Sequence, residues 1–216
     1  MKKFLVVGCG GSGAKTQAYM IDQLKAHLRA LDPTLTSLPK AWQFVSIDVP
    51  VAPEKGPSGL GNVQDNGGRY VGIGSKQQYK TFDTGLSQKL GTKHALGEIS
   101  TWAPRHPEAI STPVSDGAGQ FRGLGRMLTL QSVARIREEL KAAMDVLEES
   151  ATISELNQLN HRITGHRSSA IDASPVILVV SSMAGGAGAS MFLDVCRILS
   201  TLPNAKPEHT GVFMLT

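Results

Sequence analysis

Apolar positions along the chain switch between short unbroken runs and helical spacing, and the switches predict its elements. Phe4 to Val7 is a continuous apolar run ending at Gly8, the pattern of a strand buried on both faces. From Ala14 onward Ala18, Ile21, Leu24 or Lys25, Leu28 and Leu31 recur at three or four residues until Asp32-Pro33 stops them, which predicts a helix. A second strand, Trp42 to Ile47, ends in Asp48, and the glycine-rich segment Val49 to Gly74 reads as irregular. Phe82, Leu86 and Leu90 suggest a helix interrupted by Gly85 and Gly91. Pro104, Pro107 and Pro113 then hold an extended connection, with a short strand near Ile110 to Val114. Val133, Ile136, Leu140, Met144 and Leu147 mark the longest amphipathic helix, running to Glu149, and its charged face (Arg135, Arg137, Glu138, Glu139, Lys141) reads as solvated pairs. Ser150 to Ala173 is polar and reads as a connection with a helical turn or two. Val176 to Val180 is a second buried run, followed by a helix with Phe192, Val195, Cys196 and Leu199 inward and Pro203 as its stop, and by a last strand, Gly211 to Leu215.

Strands alternating with helices predict an α/β, Rossmann-like parallel sheet flanked by helices. At 216 residues one domain is the default, and a sequence ending inside a strand points to residues 1–216 as the N-terminal part of a longer protein. The 22 Lys and Arg against 18 Asp and Glu form no block of like charge, which argues against a nucleic-acid partner. Cys9 and Cys196 are too few for a disulfide framework and suit a reducing cytosol, hence a cytoplasmic location. The run after Lys2-Lys3 is too short for a secretory leader, and no stretch approaches the roughly 20 apolar residues of a membrane span.

The 23 glycines exceed the average usage of about 7%, and their placement carries the chemistry. Gly8-Cys9-Gly10-Gly11-Ser12-Gly13 satisfies G-x-G-x-x-G between a strand and a helix, where bare backbone approaches a phosphate and the helix N-terminus attracts it. Lys15 is displaced by one position from the Walker spelling, which excludes a P-loop. Asp48 ends the second strand, where a dinucleotide fold puts its ribose acid, but later than the roughly 20 residues usual after the glycines. It serves equally as a loop cap. Ser182 and the run Gly185-Gly186-Ala187-Gly188 repeat the strand-glycine-helix arrangement, and Gly117-Ala118-Gly119 adds a third glycine cluster. Lys15 and Arg126 are the cations near these segments, as ligands or as solvated helix residues. The six histidines show no metal spacing, no serine sits in G-x-S-x-G, and Cys9 reads as a packing residue.

Taken together, FLVVGCGGSG, GAGQFRGLGR and VILVVSSMAGGAGAS resemble the phosphate loops of the tubulin and FtsZ superfamily. The third string aligns on the signature GGGTG[ST]G, GVFMLT is similar to the strand after the signature helix, and the resemblance is nearer to divergent bacterial tubulin-like proteins. It departs at Ala184 and Ala187, which replace the first glycine and the threonine, and at Ala14, where FtsZ has a polar residue. The resemblance implies a domain binding GTP or GDP with Mg2+, in which Gly10, Gly11, Ser12, the Gly117 to Gly119 cluster and Gly185 to Gly188 donate backbone hydrogen bonds to phosphates. It also implies GTP hydrolysis and self-association, with the family's base-recognition residues and water-orienting acidic loop beyond residue 216. An NAD(P)-dependent oxidoreductase, an ATP-using adenylating enzyme and a nucleotide-free assembly scaffold are the competing readings.

Overall fold

The computed structural model describes residues 1–89, 102, 110, 114–115, 117–119, 121–167 and 173–216. Strands β1 (Phe4–Cys9), β2 (Trp42–Asp48), β3 (Arg69–Gly72), β4 (Val176–Ser182) and β5 (Thr210–Leu215) form one sheet in the order β3-β2-β1-β4-β5, with every neighbouring pair parallel. The helices are α1 (Gly10–Leu31), α2 (Tyr79–Lys89), α3 (Arg122–Gln131), α4 (Val133–Glu148), α5 (Ser150–Thr164) and α6 (Ala187–Ser200).

Successive strand residues point to opposite faces, so the apolar runs feed two cores. Leu5, Val7, Val45, Ile47, Ile177 and Val179 pack with Met127 and Leu128 of α3, Ile136 and Leu140 of α4, and Met191 and Val195 of α6. On the other face Val6, Phe44 and Val180 pack with Ile21 of α1, bordered by Leu24 and Tyr70. The parallel α/β architecture read from the sequence is the one observed. No helix among the described residues is long and apolar enough to cross a membrane.

Several boundaries differ from expectation, each for a physical reason. Helix α1 begins at Gly10 rather than Ala14, so the glycines form its first turn instead of a loop before it. Strands β2 and β4 run on to Asp48 and Ser182, because polar residues at a parallel strand's carboxyl end still pair with their neighbours. Within the segment expected to be irregular, β3 adds to β2. Residues 122–131 form α3, and Ser150–Thr164 is a 15-residue helix rather than a turn or two. Leu31 is exposed, and in α6 Met191 and Ile198 are buried while Phe192 and Cys196 are half-buried. The helix expected around Phe82 is α2. Leu90, most of the proline-rich connection and Asp116 lie outside the described residues.

Candidate functional site

In a doubly wound sheet the ligand crevice lies off the carboxyl ends of the strands, at the pair where the strand order reverses. Here that pair is β1 and β4, adjacent in the sheet and leading to α1 and α6. Gly10 opens α1 at φ +72, and a Cβ there would lie 2.7 Å from the Gly188 backbone nitrogen, so the two helix N-termini touch through bare backbone. Neither helix has a side-chain cap or an acidic residue in its first turn. Their leading N–H groups and the positive ends of both dipoles therefore face the same space.

The Gly117 to Gly119 segment closes that space from α3's side. The Gly186 N–H donates to the Gly119 carbonyl at 3.0 Å, tying the second and third glycine segments together. This N–H is engaged within the fold, whereas Gly185 stands clear, with nothing within 4 Å of where its Cβ would be. Ser182 Oγ accepts from the Ala184 N–H at 3.1 Å and shapes the turn between β4 and the glycines.

The resulting cleft has a volume of about 260 Å³ and is lined by every residue singled out from the sequence except Arg126. Cys9, Pro50 and Glu54 complete its wall. Arg126 does not reach it: its Nε bonds Asp194 Oδ2 at 3.2 Å and its guanidinium lies 4.5 Å over the Trp102 ring. Asp194 is buried, and Arg197 bonds its other oxygen at 2.7 Å. A buried carboxylate demands such compensation, and through it Arg126 joins α3 to α6.

Asp48 is the charged group set deepest in the cleft wall, 8% exposed, with its Oδ1 accepting from the Val49 N–H at 2.7 Å. Burial pushes its pKa up to about 6 against the pull of that hydrogen bond, and nearby Glu54 adds to the rise. Oδ2 faces Gly11, 3.7 Å from where a Cβ would be. Behind Asp48 a smaller cavity of about 30 Å³ opens between α1 and the β2–β3 pair, lined by Ser46, Tyr70, Lys15 and Glu54 among others. Ser46 Oγ is fully buried there and has no hydrogen-bond partner among the described residues.

No group of three His, Cys, Asp or Glu able to hold a metal exists among the described residues. Asp48 and Glu54 suit a cation such as Mg2+ only as part of a coordination shell that waters and phosphate oxygens complete. Burial raises the Cys9 thiol above its usual range, in keeping with a packing role. His27, His161 and His166 are exposed, and His94 and His106 lie outside the described residues. Pro50 and Glu54 are the lining residues that sequence reasoning missed; both arrive on an irregular segment with no motif around them.

No curated protein matches the chain. A family model described as tubulin-like matches residues 5–216, nearly the whole length and all three glycine segments. With that match over a parallel sheet and its glycine-lined crevice, the chain belongs to the tubulin-like family.

Proposed function

We propose that this domain binds a guanine nucleotide, GTP or GDP, with its phosphates in the glycine-lined cleft, and that occupancy switches self-association of the protein. The observation that supports this best is the convergence of three glycine segments and two uncapped helix N-termini on one cleft. Such a cradle suits a polyphosphate, since its donors are backbone N–H groups with no side chain in the way. Mg2+ is the cation expected beside Asp48 and Glu54, where it offsets phosphate charge.

Gly185 provides the test. Its φ is not in the left-handed region and a Cβ there meets no described residue within 4 Å, so Gly185→Val should fold as the parent does while adding bulk to the cleft's lining. Calorimetric titration with GTP, GDP, ATP and NAD is expected to show guanine-nucleotide binding by the parent chain and at least tenfold weaker binding by Gly185→Val, with the melting midpoint unchanged. Equal affinity in both chains would place the ligand elsewhere. Binding of NAD alone would favour an oxidoreductase, a reading that rests on Asp48 standing beside Gly11 at the end of β2.

Hydrolysis by this chain alone is expected to be slow or absent. Phosphoryl transfer needs charge stabilisation on the transferring group, often from a guanidinium. Arg126 is held by Asp194, and Arg122 donates to the Met183 carbonyl at 2.7 Å. Purified chain with GTP and Mg2+ should therefore release phosphate no faster than a Gly185→Val control at any protein concentration. Release that accelerates with concentration would show that neighbouring copies complete the reaction.

A further inference from the structure

Among the described residues three basic side chains stand near the glycine segments, and two are committed within the fold. Arg126 is paired with Asp194, and Arg122 holds the Met183 carbonyl. Lys15 is exposed, lines the cleft, and makes no hydrogen bond or ion pair among the described residues. It lies in the second turn of α1. Helical side chains lean toward the N-terminus, over the residues three and four positions earlier. For Lys15 these are Ser12 and Gly11, and Gly11 has no side chain of its own to stand between the lysine and the α1 N-terminus.

The charges around it are few. Lys15, Asp48 and Glu54 line both the cleft and the smaller cavity behind Asp48, while Lys55 lines the smaller one alone. Lys15 is thus the one cation in the wall of the main cleft among the described residues, facing two carboxylates. An entering polyphosphate adds negative charge to this balance, and each helix N-terminus returns only about half a positive charge. The remainder must come from a metal ion on the carboxylates or from an ammonium on the phosphate.

We infer that Lys15 is the phosphate-binding cation of the cleft, that it retains a polyphosphate tail without any divalent cation, and that it sets a preference for longer phosphate tails. The inference rests on the nucleotide reading above and deepens it. Mg2+ beside Asp48 and Glu54 then serves a reaction rather than retention. An ammonium is a compact donor with three N–H groups, and its hydrogen bonds to phosphate are charge-assisted. Losing one such contact weakens binding about 10- to 100-fold.

The experiment is titration in EDTA of the chain, Lys15→Gln and Lys15→Arg with GTP, inorganic tripolyphosphate and guanosine. The parent should bind GTP and tripolyphosphate without metal. Lys15→Gln should weaken both by about 10- to 100-fold and leave guanosine unaffected, and Lys15→Arg should recover most of the loss. Melting midpoints should coincide, because Lys15 makes no hydrogen bond or ion pair among the described residues. The inference is overturned by a Lys15→Gln chain as tight as the parent, by Lys15→Arg behaving as Lys15→Gln, or by a parent that needs Mg2+ to bind GTP. In each of these cases the nucleotide reading survives. A parent that binds neither GTP nor tripolyphosphate, with or without Mg2+, overturns both.

Discussion

A Gly186→Val chain is expected to melt roughly 6 to 12 °C below the parent, taking about 3 kcal/mol of destabilisation and about 2 to 4 °C per kcal/mol at this size. A Cβ on Gly186 would lie 2.3 Å from the Gly119 carbonyl oxygen and 3.0 Å from the Phe121 nitrogen, both of them backbone that cannot rotate aside. The two glycine segments must part, and the hydrogen bond from Gly186 to Gly119 goes with them. The disturbance spreads to α3, because the position of a Gly125 Cβ is only 2.9 Å from the Gly186 carbonyl and 2.2 Å from Ser190 Oγ. Nucleotide binding should be lost as well, through collapse of the cleft's shape rather than contact with a phosphate. Thermal melts of Gly185→Val and Gly186→Val side by side check this. Neighbouring glycines with equal midpoints would show that the link between the segments contributes nothing.

The contrast between these glycines also marks how far a sequence can be read. The strands β1 and β4 were legible because unbroken apolar runs are what a strand covered on both faces requires, and α4 because Ile136, Leu140, Met144 and Leu147 repeat at helical spacing. Helix α5 was not legible. Its buried positions are Thr152, Leu156 and Asn160, of which one is apolar, with Ile153 packed half-buried beside Leu156. Asn160 is tolerated there because it accepts from the Met1 amine at 2.7 Å and donates to the His166 carbonyl at 2.7 Å. The first of these partners is distant in sequence, and no local pattern contains it. Helix α3 was obscured by Gly123 and Gly125, which lower helix propensity, although Gly125 is required by the close approach of α6. Strand β3 is four residues long and sits at the sheet's edge.

The site divides along the same line. The strand-glycine-helix spelling located the first and second glycine segments, since a tight approach of backbone to backbone or ligand leaves that trace in sequence. What it left open was which glycine serves which approach. Gly10 and Gly188 are needed where the helix N-termini touch, and Gly185 is the one with open space before it. Arg126 was open between a ligand and a solvated helix residue, and only the fold reveals Asp194 beside it. Lys15, by contrast, was ambiguous in sequence, and it has no partner among the described residues, which is what the proposal for it builds on.

Asp48→Asn is expected to stabilise the chain at neutral pH and to do nothing below about pH 4, in a direction opposite to that of most carboxylate substitutions. The carboxyl is held at about 6 in the fold against its ordinary value of 3.8, chiefly because burial penalises the charged form. Between those values the native state binds more protons than the unfolded chain, so stability is full below the lower value and declines as pH rises through the higher one. At about 1.4 kcal/mol per unit, the cost above pH 6 approaches roughly 3 kcal/mol. Asparagine keeps an oxygen for the Val49 N–H and carries no charge to desolvate. In EDTA the variant's melting midpoint should stay level from pH 4 to 8 while the parent's falls, the two curves meeting near pH 4. Parallel curves would mean that Asp48 is solvated and its burial has no energetic consequence. A carboxylate kept at such a cost beside the glycine-lined cleft fits a group selected for a ligand or a cation rather than for the fold. The same variant should therefore lose whatever enhancement Mg2+ gives to GTP binding while retaining the metal-free affinity proposed to come from Lys15. Stability gained together with Mg2+ response lost is the outcome that distinguishes a functional carboxylate from one that merely caps the loop after β2.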